Sequence, residues 1–90
     1  MIKVSIVYDN PKQISLFKDI SFKFKPLVEY FDTNTRNGKK EGYKLKYYWG
    51  AKKNPFCMVY KENTPIKTFY SEKDDEDNAI VQLINYLKNE

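Results

Sequence analysis

The sequence contains no histidine and a single cysteine, Cys57. One cysteine excludes a disulfide within the chain. A zinc site needs several cysteine or histidine ligands, so we expect no metal centre of that kind. Catalytic triads that use histidine and cysteine–histidine pairs are excluded for the same reason. We therefore expect neither a metal nor a cofactor.

Glycine is scarce as well: three residues are scattered along the chain, and no glycine-rich phosphate-binding loop is present. No apolar run approaches the roughly 18 residues that span a bilayer. The first ten residues, MIKVSIVYDN, are too short an apolar stretch for a signal peptide. We expect a cytoplasmic protein that does not contact a membrane. The many Lys, Asn and Tyr residues are compatible with a small viral protein, which would act in the host cytoplasm.

What the chain does contain is enough for one small domain, residues 1–90. Its 90 residues are 41% hydrophobic and 17% aromatic, and a chain of this length buries about 60–65% of its unfolded surface. The net charge is +4, with basic residues spread along residues 12–67 and acids concentrated in residues 72–77. A mild positive charge can attract nucleic acid. We favour the simpler interpretation that the lysines keep the surface solvated.

The first third of the sequence predicts a strand, a helix and a second strand. Residues 2–8 are rich in β-branched side chains, which favour a strand. Asn10 and Pro11 suit the cap and first position of a helix that continues to about residue 23. Residues 27–32 form the next apolar run. A βαβ unit of this kind places its two strands parallel.

The middle of the sequence is less regular. We predict a turn-rich loop over residues 33–38 and a helix over residues 39–50 that ends at Gly50. Tyr43 and Tyr47 are expected on its buried stripe, with Leu45 and Trp49 as further candidates. The alternation in YKLKYY is equally typical of a strand.

The last third predicts a hairpin followed by a helix. Residues 56–60 form a continuous apolar run, typical of a strand covered on both faces. A turn at 61–65 then leads into a strand at 66–70. Ser71, Asp74 or Asp75 is expected to cap the final helix. The buried stripe of that helix is predicted to consist of Ala79, Ile80, Leu83, Ile84 and Leu87.

This order, β-α-β-α-β-β-α, resembles the minimal thioredoxin-like fold, an α/β fold with a four-stranded mixed sheet flanked by helices. Trp49-Gly50, a short loop and Pro55 immediately before the apolar run are similar to the second half of that family, and Asp32 is similar to a thioredoxin position. The resemblance implies a cis bond at Asn54–Pro55, because the family has a cis proline immediately before the buried strand. Cis bonds are essentially confined to proline. In the family, this bend faces the start of the first helix and helps to hold an extended substrate.

The residues at the family's redox position argue against redox chemistry. In the matching stretch, DNPK, Asp9 and Lys12 stand where the family has its cysteine pair, and neither can form a disulfide. We expect Cys57, inside an apolar run, to be buried and inert. A glutaredoxin-like role is also not expected, because Phe69, Tyr70 and Ser71 replace the glycines and acidic pair of that group.

We therefore predict that the chain is not an enzyme but a protein-interaction or adaptor module that binds an unidentified protein or peptide. The resemblance places its binding groove between DNPK and the start of the buried strand, with backbone hydrogen bonds to an extended peptide. The predicted groove residues are Asp9, Asn10, Pro11, Lys12, Trp49, Asn54, Pro55 and Phe56, with Tyr8 as a further candidate.

The alternative function is nucleic-acid binding through residues 39–53, where lysines alternate with tyrosines and a tryptophan. Such a composition binds single strands by stacking and phosphate pairing. A competing interpretation is an amphipathic helix with solvated lysines and an aromatic face turned towards the core, which we favour on sequence alone.

Overall fold

A computed structural model describes residues 2–72 and 78–89 of the chain. Within them it has the predicted α/β class, with three helices and one four-stranded mixed sheet. The strands and helices follow one another in the predicted order. They are β1 (Ile2–Tyr8), α1 (Ser15–Ile20), β2 (Leu27–Asp32), α2 (Arg36–Trp49), β3 (Phe56–Lys61), β4 (Thr64–Phe69) and α3 (Ala79–Lys88), and short 3-10 helices (Pro11–Gln13 and Ser21–Lys23) flank α1.

The strands lie in the order β2-β1-β3-β4. β1 is parallel to β2, with Val4 opposite Val28, as the βαβ pattern predicted. β1 is antiparallel to β3, and β3 is antiparallel to β4. The two central strands are the most apolar because helices cover both of their faces.

The main core lies between one face of the sheet and helices α1 and α3. Alternate residues of β1 and β3 point into it, and α3 contributes the whole stripe predicted from the sequence. Its buried residues are Val4, Ile6, Ile14, Phe17, Cys57, Val59, Phe69, Ala79, Ile80, Leu83, Ile84 and Leu87.

A smaller core lies on the opposite face of the sheet, beneath α2. Its buried residues are Val7, Phe56 and Met58. Two buried glycines let α2 approach the sheet closely: a Cβ on Gly42 would lie 2.9 Å from Val7 Cγ1, and one on Gly38 would lie 2.0 Å from the main-chain oxygen of Asp32. The helix therefore packs through glycine rather than through its tyrosines.

The predicted stripe of α2 is accordingly wrong for Tyr43 and Tyr47, which are exposed. Leu45 and Trp49, also considered for that stripe, do pack against the smaller core. Because a helix turns 100° per residue, the face that holds Gly38 and Gly42 continues through these two side chains.

The helix preferred for residues 39–50 is confirmed, but it begins three residues earlier than predicted, at Arg36. Residues 33–38 are not all loop, because α2 starts at Arg36. Thr35 caps it: its side-chain oxygen accepts a hydrogen bond from the Gly38 N–H at 3.0 Å. Gly50 ends the helix with a left-handed backbone (φ 74°), as predicted.

The hairpin is tighter than predicted. The turn consists of Glu62 and Asn63, both with positive φ (52° and 67°), so β4 begins at Thr64 instead of residue 66. Pro65 lies within β4 rather than in the turn. This position is tolerated because β4 is an edge strand, where a missing N–H need not break the sheet.

The start of α3 also differs from the prediction. Asn78 caps the helix, since its side-chain oxygen accepts from the Val81 N–H at 3.0 Å. Ser71 is therefore not the cap residue, although its hydroxyl does accept a hydrogen bond from the Ala79 N–H. Asp74 and Asp75 lie outside the described residues.

Candidate functional site

The first wall of the candidate site is the start of the first helical segment. Asn10 caps it as predicted: its side-chain oxygen accepts from the Lys12 N–H at 3.0 Å. In return, the Gln13 side-chain oxygen accepts from the main-chain N–H groups of Asp9 and Asn10, at 3.1 and 3.3 Å. This reciprocal cap fixes the backbone from which Lys12 extends.

The second wall is the loop before β3. The Asn54–Pro55 peptide bond is cis, as the resemblance implied. The Asn54 side-chain oxygen accepts a hydrogen bond from Lys46 Nζ at 2.8 Å. Burial lowers the pKa of Lys46, and the nearby Asp9 carboxylate acts in the opposite direction. Lys46 thus links α2 to the loop that carries Pro55.

Ser71 joins this loop to α3. The buried Ser71 hydroxyl donates a hydrogen bond to the Pro55 carbonyl oxygen and accepts one from the Ala79 N–H at 2.9 Å. A second bond, from the Gln82 side-chain amide to the Tyr70 carbonyl oxygen at 2.9 Å, fixes the same segment. Unsatisfied buried polar groups are costly, so Ser71 holds Pro55 and the first turn of α3 together.

These walls enclose a cleft of about 370 Å³, hereafter the Pro55 cleft. This volume is within the range of about 300–1,000 Å³ that is usual for ligand clefts. Of the described residues that line the cleft, the charged ones are both lysines, Lys12 and Lys53. The complete described lining is Lys12, Gln13, Leu16, Lys53, Asn54, Pro55, Ser71, Asn78, Ile80 and Val81.

A second pocket, of about 260 Å³, adjoins the Pro55 cleft and shares Lys53 and Ser71 with it. Lys53 Nζ donates a hydrogen bond to the Glu72 carbonyl oxygen at 3.1 Å. Lys53 therefore stands between the two pockets. The rest of the second pocket is formed by Gly50, Ala51, Lys52, Tyr70 and Glu72.

Three of the predicted groove residues, Lys12, Asn54 and Pro55, line the Pro55 cleft. Asp9, Asn10 and Pro11 are exposed immediately before Lys12 but are not part of the lining.

The other predicted groove residues lie elsewhere. Phe56 is fully buried in the smaller core beneath α2, and Trp49 packs against the same core. Tyr8 packs instead against the main core, with its ring 6.3 Å from that of Tyr30. The groove is thus built without these aromatic side chains.

The sequence prediction missed the apolar wall of the cleft, formed by Leu16, Ile80 and Val81. Leu16 is 51% exposed, although its neighbour Phe17 is fully buried. In the sequence, Leu16 is an apolar residue that lies beside the buried stripe of Ile14 and Phe17 and not on it. An exposed leucine on a short helix is a weak indication of a site, because isolated exposed apolar residues are common.

Cys57 lies away from the cleft lining, inside the main core. It is fully buried, and burial raises the pKa of its thiol well above the usual range. Since the thiolate is the reactive form, this thiol is poorly suited to redox chemistry.

Residues 2–72 and 78–89 contain no group of three or more His, Cys, Asp or Glu side chains arranged to hold a metal ion. None of their helices has the length and apolar composition needed to cross a membrane.

No family model, curated protein or solved structure matches this chain.

Proposed function

We propose that this chain is a non-redox, thioredoxin-like domain that binds an extended segment of a partner protein in the Pro55 cleft. The order of elements and the β2-β1-β3-β4 sheet support the thioredoxin-like part of the proposal. Asp9 and Lys12, at the position of the family's cysteine pair, support the absence of thiol–disulfide exchange. The domain acts by holding its partner and catalyses no reaction.

The observation that carries the proposal is an open main chain beside an apolar wall. Within the described part of the chain, the main-chain N–H and C=O of Asn54 have no hydrogen-bond partner. An extended peptide supplies such partners by pairing along the backbone, while adjacent pockets take its side chains. Leu16 and Val81 provide the apolar contact for one of those side chains.

The charges of the cleft indicate the kind of peptide. Lys12 and Lys53 flank the Asn54–Pro55 segment and are not accompanied by a carboxylate among the described lining residues. A peptide with an apolar residue next to an Asp or Glu therefore complements the cleft in both shape and charge.

Selection of displayed random peptides tests this function. We expect enriched peptides that combine an acidic and an apolar residue, and expect Leu16→Asp to weaken their binding at least about tenfold in fluorescence anisotropy, since it places a charge in the apolar wall. Leu27→Asp is the matched control, because Leu27 is exposed at the start of β2, outside the cleft lining. It should change the affinity less than about twofold. Failure to enrich any peptide, or equal losses in the two variants, would refute the proposal.

The non-redox part has its own test. We expect insulin to be reduced by dithiothreitol no faster when the protein is present than when it is absent. In parallel, Cys57 should react with an aromatic disulfide reagent at least about tenfold more slowly in the native protein than in guanidinium. The reason is that burial raises the pKa of the thiol and so disfavours the reactive thiolate. Turnover of insulin above background, or a native thiol that reacts as fast as the unfolded one, would contradict this part.

A further inference from the structure

Helix α2 directs its glycines at the sheet and several of its tyrosines into solvent. Tyr47 is 90% exposed, Tyr48 is 77% exposed and Tyr43 is 49% exposed. The aromatic core face favoured on sequence alone is thus wrong for these three side chains. Single exposed apolar residues are common on protein surfaces, whereas several exposed rings close together on one helix are typical of an interaction surface.

The same helix carries most of the positive charge near these rings. Five of its 14 residues are basic, and Glu41 is its one acid. The Nζ atoms of Lys39 and Lys46 lie 6.0 and 5.8 Å from the centre of the Tyr43 ring. These ammonium groups therefore lie within the distance at which cations and aromatic faces interact.

We propose that the α2 outer face, defined by Arg36, Lys40, Tyr43, Lys44 and Tyr47, binds single-stranded nucleic acid. Tyr43 and Tyr47 are one helical turn apart, about 6 Å along the axis, and so present two neighbouring rings to successive unstacked bases. The basic side chains of the same face, Arg36, Lys40 and Lys44, contact the phosphates. This combination of stacking and cationic contacts is how proteins bind single strands without reading their sequence.

Charge and ring placement distinguish this ligand from other occupants of the surface. A second copy of the chain would bring two strongly basic helices together, which like-charge repulsion opposes. An acidic protein would satisfy the lysines but not both exposed rings. Duplex nucleic acid keeps its bases stacked inside, where Tyr43 and Tyr47 do not reach them.

The structure also revises the segment of residues 39–53 that the sequence indicated: it adds Arg36, at the start of α2, and removes three residues. Trp49 packs against the sheet, and Lys46 is engaged by Asn54. Lys53 lines the Pro55 cleft. The binding surface is therefore the exposed part of one helix, and it is separate from the cleft proposed for peptides.

Fluorescence anisotropy with a labelled oligothymidylate of 20 nucleotides tests the inference on the full chain. We expect binding at low salt that weakens as salt rises, and about tenfold weaker binding for Tyr43→Ala/Tyr47→Ala. For Lys40→Glu/Lys44→Glu, removal of two phosphate contacts should reduce the slope of log affinity against log salt by about 1.4. Circular dichroism melts will verify that each exposed-site variant is folded.

Matched variants test whether binding depends on this surface or only on net charge and exposed rings in general. Lys23→Glu/Lys61→Glu changes the net charge equally at exposed sites outside α2, and Phe22→Ala removes an exposed ring outside α2. Both should bind within about twofold of the parent protein. Leu16→Asp should also bind normally, which distinguishes this inference from the peptide proposal.

Four results would overturn the inference. They are absence of binding at low salt, equal weakening in the charge-matched control, full affinity after loss of Tyr43 and Tyr47, and binding of heparin or a duplex as tight as that of the single strand.

Discussion

Replacing Gly38 with alanine is expected to lower the free energy of unfolding by about 2–3 kcal/mol, the upper part of the range for overpacking. Alanine normally favours a helix by about 1 kcal/mol over glycine, so the sign is opposite to that of an ordinary helical site. The added Cβ would lie 2.0 Å from the Asp32 main-chain oxygen and 2.6 Å from Thr35 Oγ1. Neither atom is the far end of a flexible side chain, and so α2 must move away from the sheet.

Urea denaturation measures this effect, and the two other glycines provide the comparison. Gly42→Ala should have a smaller effect, because its Cβ meets a side-chain atom, Val7 Cγ1, at 2.9 Å. Gly50→Ala should cost roughly 1 kcal/mol, from the left-handed backbone alone, since no atom lies within 4 Å of its added Cβ. If Gly38→Ala is as stable as the parent protein, the close packing of α2 on Asp32 is incorrect.

This packing shows where sequence patterns fail. The boundaries of β1 follow from a run of β-branched residues and those of β2 from an apolar run, and the prediction places both correctly. In α2, the buried face consists of two glycines followed by Leu45 and Trp49. Hydrophobic periodicity cannot detect a face made of glycine, so it assigned Tyr43 and Tyr47 to the interior instead. The close approach that makes glycine necessary is a tertiary contact with Val7 and Asp32.

The sequence likewise predicted only part of the candidate site. The resemblance identified Lys12, Asn54 and Pro55, because it aligns the start of the first helix with the loop before β3. It did not identify Leu16 or Val81, which belong to α1 and α3. Their position depends on how these two helices pack against each other, and the spacing of apolar residues within each helix does not contain that information.

The two proposed surfaces are connected through one side chain. Lys46 belongs to α2, yet its ammonium group donates to Asn54 at 2.8 Å, in the wall of the Pro55 cleft. Any movement of α2 when its outer face binds nucleic acid would therefore act on Asn54 directly. The contact gives a physical route by which one ligand could alter the affinity for the other, provided that both bind.

A variant of Phe56 tests whether the aromatic residues near Pro55 stabilise the fold or contact the ligand. Phe56→Ala is expected to lower the free energy of unfolding by about 3–5 kcal/mol, because it empties a fully buried site. Its ring lies 5.3 Å from that of Tyr70 and packs with Val7 and Met58. Small domains are stable by about 5–15 kcal/mol, so a fraction of the variant should still fold.

Denaturation in urea, combined with anisotropy measurements on the selected peptides, distinguishes the two roles. Affinity corrected for the folded fraction should stay within about threefold of the parent value, since Phe56 is outside the cleft lining. Phe22→Ala serves as the control for loss of a phenyl ring, because Phe22 is exposed and its removal should change stability by less than about 0.5 kcal/mol. Unchanged stability together with lost peptide binding in Phe56→Ala would make Phe56 a contact residue and would place the groove on the α2 side of the sheet.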